Sequence, residues 1–257
     1  MSDNNRLSMS ARPREPDDFP TLNAWFTTSS DGYMVGGYKF IQLLTDLKGS
    51  NRFLERWRQD RSPEENLSAS GIDPIVDQDE YLRFRKSLGE KSNDSFSLSA
   101  YAYSTAIFPT ERQRESAVLG YRGGITMASN TMWLQPPITM GSHNLTLQEW
   151  VDVMRVIIRW RVPKFLAVGS ANYETYDRVF DHRAWPGWMA WFPIRISPQS
   201  LPRYALTFDI GEGTLVASQE TNVITTDPAQ VERSREVEIA LAQFGVLPTL
   251  DELTGQR

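Results

Sequence analysis

The sequence predicts an α+β fold: a single domain in which a largely antiparallel β-sheet is covered by amphipathic helices. Three observations carry that expectation. Ser95–Ser104 alternates cleanly, with Phe96, Leu98, Ala100 and Ala102 on one side and Ser97, Ser99, Tyr101 and Tyr103 on the other. Two further strand-like runs follow it, Ser116–Thr126 and Asn130–Gln135, and consecutive strands usually pair as an antiparallel meander. Two helices carry strong start and stop signals near 146–161 and 228–244. The sheet is expected from residues near 95–135 and 188–219.

Along the chain, residues 1–18 are polar, contain Pro13 and Pro16, lack an apolar core segment and read as a flexible tail rather than a signal peptide. The domain is expected over 19–250, with 251–257 as a C-terminal tail. Thr21–Phe26 alternates as a strand. Phe40, Ile41, Leu43, Leu44 and Leu47 recur at helical spacing, and Gly49 closes that helix. Asn51–Asp60 sets Arg52, Arg56 and Arg58 around Phe53 and Trp57. Glu55, Asp60 and the following Glu64-Glu65 dilute its charge, so it reads as a surface helix rather than a nucleic-acid strip. Gly71–Glu80 is an acidic loop without calcium-loop spacing, and it leads into a helix at Tyr81–Lys86. In the middle strands Gly123-Gly124 suggests a bulge or bend, and Pro136-Pro137 stops the last one.

The helix after 146 has Thr146 as N-cap and Glu149 in capping-box position. Trp150, Val153, Met154, Ile157 and Ile158 form its apolar stripe, and Pro163 ends it. Phe165–Val168 reads as a short strand. Pro186-Gly187 is a turn signal entering a β-prone run, Trp188–Ile196, and Trp185, Trp188 and Trp191 concentrate large apolar area there. Tyr204–Ile210 and Thr214–Gln219 flank Gly211-Glu212-Gly213 as a hairpin. The last helix begins at Asp227 and Pro228, with Gln230 in box position, and finishes at Gly245.

The composition removes several function classes. The 257 residues include no cysteine, which excludes disulfides, thiolate metal sites, a cysteine nucleophile and iron–sulfur clusters. With 32 acidic against 27 basic residues the net charge is −5, the opposite of what non-specific nucleic-acid binding needs. No apolar run approaches the roughly 20 residues of a membrane span, so a cytoplasmic protein is expected. The two histidines, His143 and His182, stand apart, and no phosphate loop, G-x-S-x-G elbow or H-E-x-x-H motif occurs. No metal, cofactor or catalytic residue is assigned.

The order of pieces resembles the immunity protein 52 family of bacterial polymorphic toxin systems over about residues 19–250. The resemblance runs through Arg52-Phe-Leu-Glu-Arg-Trp-Arg58, a serine-rich strand, the Glu149-Trp150 helix and Gly187-Trp-Met189 with Ile194-Arg-Ile-Ser-Pro198. It continues through Gly213-Thr-Leu-Val216 to Gly245-Val-Leu-Pro248. It implies a non-enzymatic antitoxin that neutralises a cognate toxin, often a restriction-endonuclease-type nuclease delivered by a type VI secretion system. The matching residues, among them Gly187, Trp188, Met189 and Gly213, are apolar or turn-forming and are expected to be structural, as are Trp185 and Trp191 of the same segment.

Two readings from different classes follow. As an antitoxin, the protein occludes its toxin through an acidic face, for which Asp73, Asp77, Asp79, Glu80, Asp209 and Glu212 are the candidates. As a hydrolase or carbohydrate-binding enzyme, it would use Trp185, Trp188 and Trp191 as a platform, with Asp177, Asp181 or His182 as acid–base groups. Exposure of the rings discriminates between the two.

Overall fold

Alternating apolar residues build the strands, and their pairing brings distant parts of the chain into one sheet. The computed structural model describes residues 19–51, 54–58, 72–87, 95–103, 117–124, 129–137 and 145–255. Among these, nine strands hydrogen-bond together: β1 (Thr21–Phe26), β2 (Arg56–Arg58), β3 (Phe96–Tyr103), β4 (Ala117–Gly123), β5 (Asn130–Gln135), β6 (Phe165–Gly169), β7 (Met189–Phe192), β8 (Leu206–Ile210) and β9 (Gly213–Ala217). Their order is β2-β3-β4-β5-β1-β6-β7-β9-β8, and each neighbouring pair is antiparallel. The expected meander is β3-β4-β5. The first strand, β1, lies at the centre of the sheet, with Leu22 opposite both Leu134 and Val168, and joins the two halves foreseen near 95–135 and 188–219.

Helices cover both faces. On one lie α1 (Tyr33–Leu47), α2 (Gln78–Ser87) and α3 (Leu147–Trp160), whose Phe40, Leu44, Leu82, Trp150 and Ile157 pack on Leu22, Leu119, Leu134 and Val168. On the other, α4 (Pro228–Gln243) and α5 (Leu250–Thr254) place Val237, Leu241 and Leu253 against Phe165, Ala167, Ala190 and Val216. Because successive strand residues point to opposite faces, β6, β7 and β9 are buried throughout their length.

Caps fix the helix starts. Thr146 and Glu149 form the reciprocal capping box of α3, and Asp227 accepts from the Ala229 N–H at the start of α4. Several boundaries differ from the sequence expectation. Helix α1 begins at Tyr33, before Phe40, and runs through Gly36-Gly37, a pair that weakens an isolated helix. Here the missing side chains are the point: a Cβ on Gly36 would lie 1.9 Å from Phe96 Cζ, and one on Gly37 2.4 Å from Leu82 Cδ2. The expected surface helix at Asn51–Asp60 is instead, in its described part, edge strand β2 with Trp57 buried; Arg52, Phe53 and Asp60 lie outside the described residues. Strand β7 stops at Phe192 rather than reaching Ile196, because Pro193 has no N–H for the ladder. Residues 251–254 are no tail. Thr249 and Glu252 cap α5, Leu253 is buried, and the Leu250 N–H donates to the His182 carbonyl. The expected 1–18 tail, His143 and Gly71 lie outside the described residues.

Candidate functional site

The tryptophan segment is built into the core. Trp188 and Trp191 are each 1% exposed, and Trp185 and Met189 are also buried. The indole N–H of Trp188 donates to the Gln219 carbonyl at 2.9 Å, and that of Trp191 to the Ile210 carbonyl at 3.1 Å. Gly187 has φ +56°, and a Cβ there would sit 2.7 Å from Gly169 Cα and 2.8 Å from the Val168 oxygen. Gly213 is pressed equally close: a Cβ would meet the Phe192 oxygen at 2.1 Å. These motif residues set strand spacing. The aromatic platform required by the enzymatic alternative is therefore not formed.

The acid–base groups of that alternative sit in different settings. Asp177 is buried, with Arg235 Nη2 3.8 Å away, whereas Asp181 is a surface group 3.5 Å from Arg178. His182 is exposed, its ring edge-on to Phe180. Among the described residues no group of three or more His, Asp or Glu is placed to hold a metal ion.

One carboxylate that sequence reasoning passed over is fully buried. Glu238 of α4 accepts from the Tyr173 hydroxyl at 2.9 Å and from the N–H groups of Val179 and Phe180 at 3.0 and 3.2 Å. It thereby ties the π-helical turn Tyr173–Asp177 and the chain after it to α4. Burial lifts the Glu238 carboxyl above its ordinary value of 4.5, against the pull of these three donors and of Arg178. Burial, with the Glu238 charge, also lifts Tyr173.

Because the folded carboxyl holds its proton more tightly than the unfolded one, stability is greatest below about 4.5 for this group and falls as pH rises through the folded value. Glu238→Gln should flatten that slope. The glutamine oxygen can accept both backbone N–H groups, and its amide can donate to Tyr173. Urea midpoints measured from pH 4 upward for both proteins check this, with a residual slope expected from Glu174, which burial also lifts.

The predicted acids do not share one role. Asp73 is committed to structure: its Oδ1 accepts from the N–H groups of Ile75 and Val76 at 2.8 and 3.2 Å, in the turn before α2. Asp77, Asp79 and Glu80 are exposed at the start of α2, where the helix dipole favours negative charge. With Tyr38, Val76 and Arg83 they line an open cleft of about 560 Å³. The Tyr38 hydroxyl donates to Asp79 Oδ1 at 2.5 Å, which holds the phenol protonated.

Beside these acids is an apolar surface with no signal in the local sequence pattern. Met34, Val35 and Tyr38 share the outer side of α1 and are 46%, 52% and 42% exposed, and Val76 is 75% exposed. Tyr38 and Val76 border the three carboxylates, and Met34 and Val35 lie one turn before Tyr38 on α1; exposed apolar groups of this kind mark interaction surfaces.

Asp209 and Glu212 lie elsewhere, at the β8–β9 turn. Asp209 pairs with Arg195 at 2.7 Å, and Arg195 also donates to the carbonyls of Gly211 and Gly213, fixing the turn. Both acids line a second cleft, about 630 Å³, between the turn and the C-terminal half of α3. Thus the six candidate acids divide into two groups and one structural residue.

No family model matches the chain, and no curated protein matches it. Among solved structures it is similar to the Pseudomonas aeruginosa T6SS protein PA0821, with TM-score 0.52 and 11% sequence identity over 89% of this chain and 76% of that one. At that identity the likeness is one of fold. No helix among the described residues is long and apolar enough to cross a membrane.

Proposed function

We propose that the chain is an immunity protein that binds and neutralises a secreted toxin, a restriction-endonuclease-type nuclease delivered by a type VI secretion system, by occlusion. The observation that carries this reading is the cleft in which Asp77, Asp79 and Glu80 stand beside the exposed Tyr38 and Val76, with Met34 and Val35 also exposed one turn earlier on α1. A nuclease presents basic groups to hold phosphate, and a carboxylate-edged surface competes for them. Exposed apolar side chains beside the acids supply the desolvated contacts that charge alone does not. The fold shared with a T6SS protein and the immunity protein 52 resemblance favour the same role. On this reading the protein acts in the cytoplasm by protein binding, without catalysis, cofactor or direct contact with nucleic acid or membrane.

Co-expression with the toxin encoded by the neighbouring gene should rescue growth, and the purified protein alone should show no nuclease or hydrolase activity. Reversing Asp77, Asp79 and Glu80 to lysine should slow association. Added salt should slow the wild type, since exposed charges are screened beyond about 8 Å at physiological ionic strength. Rates at two salt concentrations for both proteins test the acidic face: equal rates in all four cases would remove it. Failure to bind that toxin at micromolar concentration would remove the role itself.

A further inference from the structure

The cleft between α3 and the β8–β9 turn differs in chemistry from the acidic patch. Its floor is apolar, formed by Ile158, Trp191, Pro193 and Ile210, and Val162 stands on its rim with 60% exposure. Its walls are of opposite sign. Arg155 and Arg159 lie one turn apart on α3, on one side of that helix, facing Asp209 near the end of β8 and Glu212 in the turn. Two of the four charges are already used, Arg155 with Asp152 at 2.8 Å and Asp209 with Arg195. Arg159 and Glu212 have no ion-pair partner among the described residues. The cleft therefore offers an apolar recess, one uncommitted cation and one uncommitted anion.

Resting on the antitoxin reading, we propose that this cleft is a second docking point, which takes a large apolar side chain of the toxin flanked by a carboxylate for Arg159 and a basic group for Glu212. Charge complementarity selects this occupant. A uniformly basic segment would meet Arg155 and Arg159, and a uniformly acidic one would meet Asp209 and Glu212. Only a segment of mixed charge satisfies both walls. The volume fits an inserted side chain with its neighbours, and insertion would dry the floor while the charged walls exclude water around it, the arrangement typical of interface anchors. Helices α1, α2 and α3 cover the same face of the sheet, and both docking points border that helical layer.

The two points make separable contributions. The acidic patch acts on encounter, whereas a filled cleft acts on residence, because loss of a short-range anchor raises the dissociation rate. Val162→Asp, Arg159→Glu and Glu212→Lys are exposed substitutions, and each should keep the wild-type melting midpoint. Binding to the purified toxin encoded beside the gene is followed in real time. Dissociation roughly tenfold faster for Val162→Asp and Arg159→Glu, with association little changed, is the expected result. Should one variant fail to fold, the other two decide. Wild-type binding with an unaltered dissociation rate in every folded variant would overturn the cleft assignment and leave the antitoxin reading standing. No binding by the wild type would overturn both.

Discussion

Trp188→Ala should lower the stability of the protein by about 3–5 kcal/mol, the range for deleting a fully buried aromatic ring. The ring sits just ahead of β7, where the ladders to β6 and β9 converge, and is 1% exposed. Its backbone N–H donates to the Val168 carbonyl at 2.9 Å, and its carbonyl accepts from the Ser218 N–H at 2.8 Å. The strands are thus held at fixed spacing around the side chain and cannot close on the void. Against a typical total of 5–15 kcal/mol the loss is large.

Trp188→Phe separates the components. It keeps most of the apolar volume but strands the buried Gln219 carbonyl, so a smaller loss of about 1–3 kcal/mol is expected. Denaturant midpoints should rank wild type above Phe above Ala. An Ala variant that melts like the wild type but no longer binds toxin would make the ring an interface anchor instead.

The parts of the fold legible in the sequence were those with a local signature. Strand β3 announces itself because Phe96, Leu98, Ala100 and Ala102 fall on one side of a period of two, and α3 because Thr146 and Glu149 satisfy each other within one turn. The central position of β1 has no such signature. Its pairing with β5 and β6 joins residues more than a hundred positions apart, Leu22 with Leu134 and Val168, and only the completed sheet determines it. Strand β2 reads as a helix in the sequence because three arginines around Trp57 suggest a solvated surface, yet an edge strand needs only one inward side chain, and Trp57 is it.

The candidate sites were half legible for a related reason. Carboxylates are visible as charge wherever they fall, so Asp77, Asp79, Glu80, Asp209 and Glu212 could be named. Exposure is not visible. Val35 and Ile41 are chemically alike and lie on the same helix, but one faces solvent and the other the core. Which is which depends on where α1 starts, and Gly36-Gly37 concealed that start. Arg159 and Val162 are likewise ordinary residues at the end of a helix until the β8–β9 turn is folded opposite them.

Gly213→Ala should cost on the order of 3 kcal/mol, at the upper end for forcing a methyl group into a packed core. The clash is with groups that cannot move aside. The Phe192 oxygen, 2.1 Å from the built Cβ, belongs to a strand paired with β9 through Phe192 and Thr214. The Trp191 ring, 2.5 Å away, is pinned through its indole N–H to the Ile210 carbonyl. Gly211, two residues earlier, is the control. It has φ +58° but meets only Ile158 Cγ2 at 3.8 Å, so Gly211→Ala should cost about 1 kcal/mol, the strain of a left-handed backbone alone. Urea titrations of the two variants check the order, and equal losses would show that backbone conformation, not close packing, is what the turn requires. The larger loss should also reach the cleft. Because Gly213 opens β9 directly after Glu212 and pairs with Ile210, the neighbour of Asp209, shifting it moves one charged wall relative to α3. Toxin should then leave Gly213→Ala faster than Gly211→Ala, while association, set by Asp77, Asp79 and Glu80 more than 100 residues away in the chain, should be the same for both.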